Sequence, residues 1–306
     1  MAMNKISVII PAYNEEAYIQ ETLNALQQNE SLEIILVDNG STDKTVEIAK
    51  HQGVKVIDFP EGSIAAVRNK GVQESVGDVL IFIDSDVRVT NEWHQAIPDV
   101  VEQVNATPNL ITGCRYCSPN NKSLLNKYWY TQLTQYEASY INAGNLIVSR
   151  KLFYEINGFS ENLETAEDYD FCQKANLAGA ILKNNPALVV THDGYPQTLS
   201  GFIQRERWHG RQDVDTWPLF LASKIAWLAS FNLILLLAAL ILTVVGVFQA
   251  LPIYFMTMYI VSFLLTIYKF GLKNVNYMLV MPVIFYFYLC GRSLAIVDRV
   301  TGYKRK

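Results

Sequence analysis

Two carboxylates stand two residues apart in Asp84-Ser85-Asp86, directly after the apolar run Val79–Ile83. A continuous apolar run of that length marks a strand buried on both faces of a parallel sheet. Side chains two apart on an extended segment point the same way, so both acids can reach one point beyond the strand's end. In open α/β sheets that edge is where ligands bind. Acids this close repel unless a cation lies between them. All-oxygen ligation suits a hard divalent ion, Mg²⁺ or Mn²⁺, held together with substrate phosphates. Asp and Ser also favour an ordinary solvated turn, and Asp-x-Asp alone does not separate the two readings.

The elements that would position these acids follow from hydrophobic pattern. Ile6–Ile10, Leu32–Val37 and Val54–Phe59 read as three further strands, and Ser63–Glu74 reads as a helix. Strands alternating with helices predict an α/β domain on a mainly parallel sheet. Each strand end carries a group suited to one ligand. Tyr13 can stack on a planar base, Asp38 can accept from a base N–H, and Arg68 can neutralise a phosphate. The turn cluster Asp38–Asp43 offers Thr42 or Asp43 as a cap for the next helix. Singly these residues have structural roles; together they make a nucleoside-diphosphate cradle.

Half of the 306 residues are hydrophobic, and the net charge of −4 is unevenly spread. From Lys224 onward there are eight Lys or Arg and one acid, Asp298, which leaves 17 basic and 28 acidic residues before it. An acidic half followed by a basic, apolar one lacks the clustered basic face of a nucleic-acid binder. It predicts a globular domain attached to a membrane. Four cysteines are too few for a disulfide framework, and Cys114-x-x-Cys117 has no second pair for a zinc site. With no hydrophobic signal segment ahead of Ile6, the globular half is expected in the cytosol.

Three uncharged stretches, 225–248, 251–268 and 274–291, are long enough to be membrane spans, and 211–223 is expected to be interfacial. Lys224 and the Lys269–Lys273 loop place the globular half on the cytosolic side by the positive-inside rule. A third full span would put Arg299, Lys304, Arg305 and Lys306 outside, against that rule. Whether the last stretch spans, or is re-entrant or interfacial, stays open in the sequence.

Several segments carry a family likeness. Ser7-Val-Ile-Ile-Pro-Ala-Tyr-Asn-Glu-Glu16, Val37-Asp-Asn-Gly-Ser-Thr-Asp43, Ala65-Ala-Val-Arg-Asn-Lys-Gly71 and Asp84-Ser-Asp86 resemble the GT-A fold of family 2 glycosyltransferases over residues 5 to 210. The resemblance implies a GT-A catalytic domain (1–210), the interfacial segment 211–223, and a membrane domain (224–306) with two to three helices. It implies that Pro11, Tyr13, Glu15, Asp38, Arg68 and Asp84 hold the nucleotide, and that Asp86, with Asp84, holds the metal. Ala143–Arg150 looks like the strand under the donor sugar, with Gly144 and Asn145 at its start. Glu164-Thr-Ala-Glu-Asp-Tyr-Asp170 is similar to the family's Glu-Asp motif; Asp168, with Glu167 beside it, matches the base that takes the acceptor's proton. His192 corresponds to a metal-site histidine in many GT-A enzymes, or is structural. Gln204-Arg-Glu-Arg-Trp208 resembles the Q-x-x-R-W motif of processive members, where Arg207 would face the diphosphate and Trp208 the acceptor. The same residues also suit an interfacial helix.

The expected activity is inverting transfer from a nucleotide sugar, a uridine diphosphate sugar by family default, to a lipid-linked or membrane-proximal glycan. The expected setting is the cytosolic face of the plasma or inner membrane, within a homo-oligomer or an assembly with export machinery. A processive polysaccharide synthase, a polyprenyl-phosphate sugar synthase and a catalytically dead sensor or scaffold are the rival readings.

Overall fold

The computed structural model describes residues 5–114, 118–119, 122–133, 140–163 and 165–303; Glu164, Cys117, and Lys304, Arg305 and Lys306 lie outside them. The chain forms two compact units, Met1–Asn120 with Leu133–Tyr195, and Asn121–Gln132 with Pro196–Lys306.

The first unit is built on a seven-stranded sheet. In chain order its strands are β1 (Ile6–Ala12), β2 (Leu32–Asp38), β3 (Lys55–Asp58), β4 (Val79–Ile83), β6 (Leu110–Gly113), β8 (Asn145–Ser149) and β9 (Ile181–Asn184). They lie in the order β3-β2-β1-β4-β8-β6-β9. All neighbours are parallel except β8, which runs antiparallel to β4 and β6. A second, three-stranded sheet sets β10 (Val190–His192) between β5 (Val87–Val89) and β7 (Ser118–Pro119). The fold is the mixed, mainly parallel α/β arrangement.

Successive strand residues face opposite sides, so the central strands feed two cores. Val8, Ile10, Ile81 and Ile83 pack with α1 (Ile19–Leu26) and α4 (Asn91–Ala106), while α2 (Thr45–His51) adds Ala49. Ile9, Leu80, Phe82, Leu146 and Val148 pack on the other side with α3 (Ile64–Gln73), α6 (Arg150–Glu155) and α7 (Glu167–Leu177). There Phe82 meets Phe159 edge-on at 5.0 Å, and Phe159 meets Phe171 at 4.6 Å. This aromatic nest seats the start of α7 against β4. Ser63 caps α3 by accepting from the Ala66 N–H at 3.2 Å. Asp43 accepts from the Thr45 N–H, just inside α2, at 3.0 Å.

The second unit contains a π-helical turn (Asn126–Tyr130) running into the short α5 (Thr131–Leu133). It continues with α8 (Leu199–Val214), α9 (Trp217–Ala222), α10 (Lys224–Val244), α11 (Ala250–Phe270) and α12 (Val275–Thr301). The last three are long and apolar enough to cross a membrane. Trp129 is packed among Phe202, Phe270, Phe285 and Tyr288, with the Lys269 ammonium 5.2 Å from its ring centroid. Helix α12 runs ten residues beyond the uncharged stretch that ends at Gly291. It can do so because its charges are partnered: Arg292 pairs with Glu206 and Asp213, and Asp298 with Arg207.

A buried polar chain joins the three apolar helices. The Asn232 amide donates to Ser293 Oγ at 3.0 Å and accepts from the Tyr254 hydroxyl at 2.9 Å, and Tyr254 Oη is 3.2 Å from Tyr286 Oη. Apolar contact gives helices little reason to associate in lipid, so such bonds set their register. Asn232→Ala is expected to cost about 1–2 kcal/mol and to lower the thermal midpoint of the detergent-solubilised protein; an unchanged midpoint would show that the chain contributes nothing.

Candidate active site

Strand register brings the predicted residues to one edge. Ala12 at the end of β1 pairs with Asp38 at the end of β2, and Ile9 pairs with Phe82 one residue before the end of β4. Because β8 is antiparallel to β4, with Ile83 opposite Asn145, Asp84 emerges beside Gly144. A Cβ at Gly144 would sit 2.6 Å from Asp84 Oδ2, so only the bare backbone lets that carboxylate in.

The edge formed by the ends of β1 and β2 is open and partly unsatisfied. Pro11 is buried within β1, and Tyr13 just beyond it is exposed, its ring free to stack. One oxygen of Asp38 accepts from the N–H groups of Gly40 and Ser41; the other, Oδ1, is buried without a partner. A buried, bare carboxylate oxygen is costly unless something donates to it, and a base N–H is such a donor. Asn14, in a left-handed conformation, ties this loop to the next by accepting from the Thr42 N–H at 2.8 Å.

Arg68 lies beneath the edge, 3 % exposed. Its guanidinium donates to Asp84 at 2.6 Å and to Glu167 at 2.5 Å. Burial opposes its charge, but the two carboxylates outweigh burial and hold it protonated above the ordinary arginine range. The residue expected to meet a phosphate is therefore engaged within the protein, bridging the end of β4 to the start of α7.

Glu167 is taken up by Arg68, and Asp168 beside it is not. The turn into α7 is made by Ala166 at φ 61°, a conformation that costs a non-glycine residue of order 1–3 kcal/mol. Asp168 then accepts from the Asn142 amide at 3.0 Å and from the Tyr169 N–H at 2.7 Å. Burial, then the charge of Glu167, pushes its carboxyl up to about 7. Asn142 also accepts from the Gly144 N–H at 2.8 Å, which couples the acid's position to the strand start under Asp84. Nothing in the sequence pairs Asn142 with Asp168; its place two residues before Gly144 is the available signal.

Asp86 faces a different neighbourhood. A Cβ at Gly194 would collide with its carboxylate. His192, paired in register with Val87, stacks on Tyr195 at 3.9 Å. Its Nδ1 is buried, has no hydrogen-bond partner, and lies 3.6 Å from Asp86 Oδ2. A bare imidazole nitrogen facing a carboxylate oxygen fits a divalent cation. Among the described residues no three acids, histidines or cysteines form a ready cage, so further ligands would come from phosphate and water, as is usual for Mg²⁺. Glu15 adds to the acidity: burial, then Asp86, Asp84 and Asp43, push it up to about 8.

Four predicted residues are placed otherwise. The Asn145 side chain is fully buried, accepting from the Trp93 indole at 3.2 Å and donating to the Leu188 carbonyl at 2.7 Å. Arg207, in the second unit, is ion-paired with Asp298. Gln204 and Trp208, also in that unit, are exposed on α8.

The sequence model of the family described as Glycosyl transferase family 2 matches residues 7–160. The chain belongs to this family. A curated relative, glycosyltransferase AglE of Haloferax volcanii, is 26 % identical over 231 residues, 70 % of this chain and 74 % of that protein. The pre-mycofactocin glycosyltransferase of Mycobacterium tuberculosis is 26 % identical over 67 % of this chain, which spans only 46 % of that protein's length. Among solved structures, the mannosyltransferase PcManGT of Pyrobaculum calidifontis, in complex with GDP-Man and Mn²⁺, aligns over 98 % of this chain and 88 % of its own, with a TM-score of 0.60 at 17 % identity. Residues 1–349 of TarS of S. aureus align over 98 % and 93 %, with a TM-score of 0.50 at 18 % identity. The seven-stranded sheet is thus a GT-A domain, and the chain is a glycosyltransferase.

Removing Arg68 would leave the buried Glu167 and the half-buried Asp84 without the cation they share. Arg68→Met is expected to cost about 3–5 kcal/mol. Thermal melts should show a lowered midpoint; an unchanged midpoint would mean that the two acids are not held by this charge.

Proposed function

We propose that this glycosyltransferase moves a sugar, with inversion, from a nucleoside diphosphate sugar to a hydroxyl of a lipid-linked or membrane-proximal glycan, using Mg²⁺ or Mn²⁺. The observation that carries this reading is Asp168. It is a carboxyl pushed up to about 7, oriented by Asn142 and the Tyr169 N–H, with its neighbour Glu167 occupied by Arg68. A general base works best when its pKa lies near the working pH.

In this reading Tyr13 stacks on the base and the bare oxygen of Asp38 accepts its N–H. Uracil supplies that donor, and so does guanine, so the geometry accommodates either; the uridine donor rests on family likeness. Gly144 lets the donor approach the backbone, and Asp84 is held in place by Arg68. Asp86 and His192 are the protein groups that would hold the cation, with Asp84 close by. When bound, the cation stabilises charge on the leaving diphosphate. The GDP-Man and Mn²⁺ bound to the Pyrobaculum enzyme support a nucleotide sugar and a divalent metal for a GT-A domain of this shape. Asp168 takes the proton of the acceptor hydroxyl as that oxygen attacks the anomeric carbon from the face opposite the leaving group.

The apolar helices suit an acceptor presented at a membrane. The basic bias of Lys224, Lys269 and Lys273 supports a cytosolic active site under the positive-inside rule, at the plasma or inner membrane.

The test is sugar transfer by purified protein in detergent, with a panel of uridine and guanosine diphosphate sugars and lipid-linked acceptors. Turnover should require Mn²⁺ or Mg²⁺ and be abolished in Asp86→Ala. In the wild type, kcat/KM should fall about tenfold per pH unit below pH 7, because Asp168 acts only when deprotonated. Asp168→Asn should lose at least two orders of magnitude. Full activity in Asp168→Asn would instead favour a phosphate nucleophile that needs no base.

A further inference from the structure

The last helix carries features that the transferase reading leaves unused: three charged residues in an otherwise apolar element, and a run of ion pairs to α8. Their placement fixes which ends of the membrane helices lie together. Ala295 shares one buried cluster with Ala226, the third residue of α10, and with Val214 at the end of α8. Ser293 Oγ donates to the Ala229 carbonyl at 2.8 Å and accepts from Asn232 at 3.0 Å. Arg292 binds Asp213 at 2.9 Å and Glu206 at 3.1 Å, Asp298 binds Arg207, and Arg299 lies 3.7 Å from Asp215. Asp213 in turn accepts from Ser223, the residue that caps α10, at 3.0 Å. The C-terminal third of α12 is therefore bound to the N-terminal turns of α10 and to the segment leading into it. At the other end, Tyr277 in the first turn of α12 lies beside Phe270, the last residue of α11.

Three successive full spans cannot have this arrangement. The end of the third would lie on the opposite face from the start of the first, about 30 Å away across the hydrocarbon. Two points on one face are joined by an even number of crossings. We propose that the chain crosses the membrane twice, through α10 and α11, and that α12 begins and ends on the face where α10 starts, lying against α8 as an interfacial or re-entrant helix.

Its composition separates α12 from the other two. Its most apolar window has the lowest mean hydropathy of the three, 1.7 against 2.5 and 1.9, and half of that window is covered by protein. Pro282 interrupts its backbone ladder. Arg292 and Asp298 would be costly at hydrocarbon depth, whereas an interfacial helix keeps them beside α8. The arrangement also removes the charge conflict in the sequence. Lys224, Lys269, Lys273 and Arg299 then share one face, as the positive-inside rule requires. The lipid surface is the partner of the exposed apolar side chains of α9 and α12, among them Trp217, Leu221, Leu279 and Val283.

Single cysteines introduced at exposed positions of the full chain test this in sealed membrane vesicles with a membrane-impermeant maleimide. Lys122→Cys marks the face where α10 starts, Val247→Cys marks the α10–α11 turn, and Tyr303→Cys marks the end of α12. The unsubstituted protein gives the background of its native cysteines, and labelling after detergent solubilisation gives the total for each variant. Tyr303→Cys is expected to label to the same extent as Lys122→Cys, and Val247→Cys to show the opposite accessibility. Tyr303→Cys tracking Val247→Cys would establish an odd number of crossings and overturn the proposal. All three labelling alike would mean that α10 and α11 do not cross, which overturns it as well.

Discussion

A buried guanidinium is expensive to desolvate, and it persists only where fixed anions offset the loss of water. Arg68 meets that condition with two carboxylates that come from distant parts of the chain, Asp84 after β4 and Glu167 at the start of α7. The rest of the site depends on this arrangement. It draws the start of α7, where Asp168 lies, against the end of β4, where Asp84 lies. It also removes Glu167 from consideration as a base, which leaves Asp168 in a partly buried setting where proton affinity is high. The same charge restrains that affinity, since the nearby guanidinium lowers the Asp168 pKa while burial and Glu167 raise it. A carboxyl near neutrality is the balance of these opposed influences.

Around that clamp the site divides into two electrostatic neighbourhoods only two residues apart in sequence. Asp84 is compensated by Arg68 and pressed against the bare backbone of Gly144. Asp86 has His192 and Gly194 beside it, and its charge is among those that raise Glu15. The two acids of Asp-x-Asp thus have different immediate partners, Arg68 for the first and His192 for the second. The alternation of an extended chain would have sent both side chains to one place. The strand ends at Ile83, however, and in the turn that follows each acid has its own neighbours, although both charges reach Glu15.

This separation shows where sequence reading works and where it stops. Strands β1, β2 and β4 were legible because parallel strands buried on both faces are written as unbroken apolar runs, and the residues at their ends follow from the same register. Asp168 was singled out through family likeness alone. What Arg68 touches was not, because an arginine on a helix can serve a phosphate or a carboxylate equally well, and only the three-dimensional neighbours decide between them. Asn145 was misleading for a similar reason: polar residues at a strand start look like ligand groups, but here the amide bonds Trp93 and Leu188. The end of α12 was hidden because charges normally terminate an apolar helix, and their partners lie more than 75 residues earlier.

Helical periodicity then divides the Gln204–Trp208 segment into two functions. Residues four apart share a face, so Gln204 and Trp208 lie together, and both are exposed. Glu206 is buried against Arg292, and Arg207 is bound to Asp298. The Asp298 carboxylate accepts from Nε and one terminal nitrogen of Arg207, which balances that arginine's charge within the helix pair. The charged residues of this motif therefore act within the helix pair, binding α8 to α12. Gln204 and Trp208 are the exposed side chains of this motif. The resemblance to processive enzymes in this segment thus rests, in this chain, on two side chains whose chemistry, a flat apolar ring and a neutral amide, suits a glycan surface without requiring the chain to make a polymer.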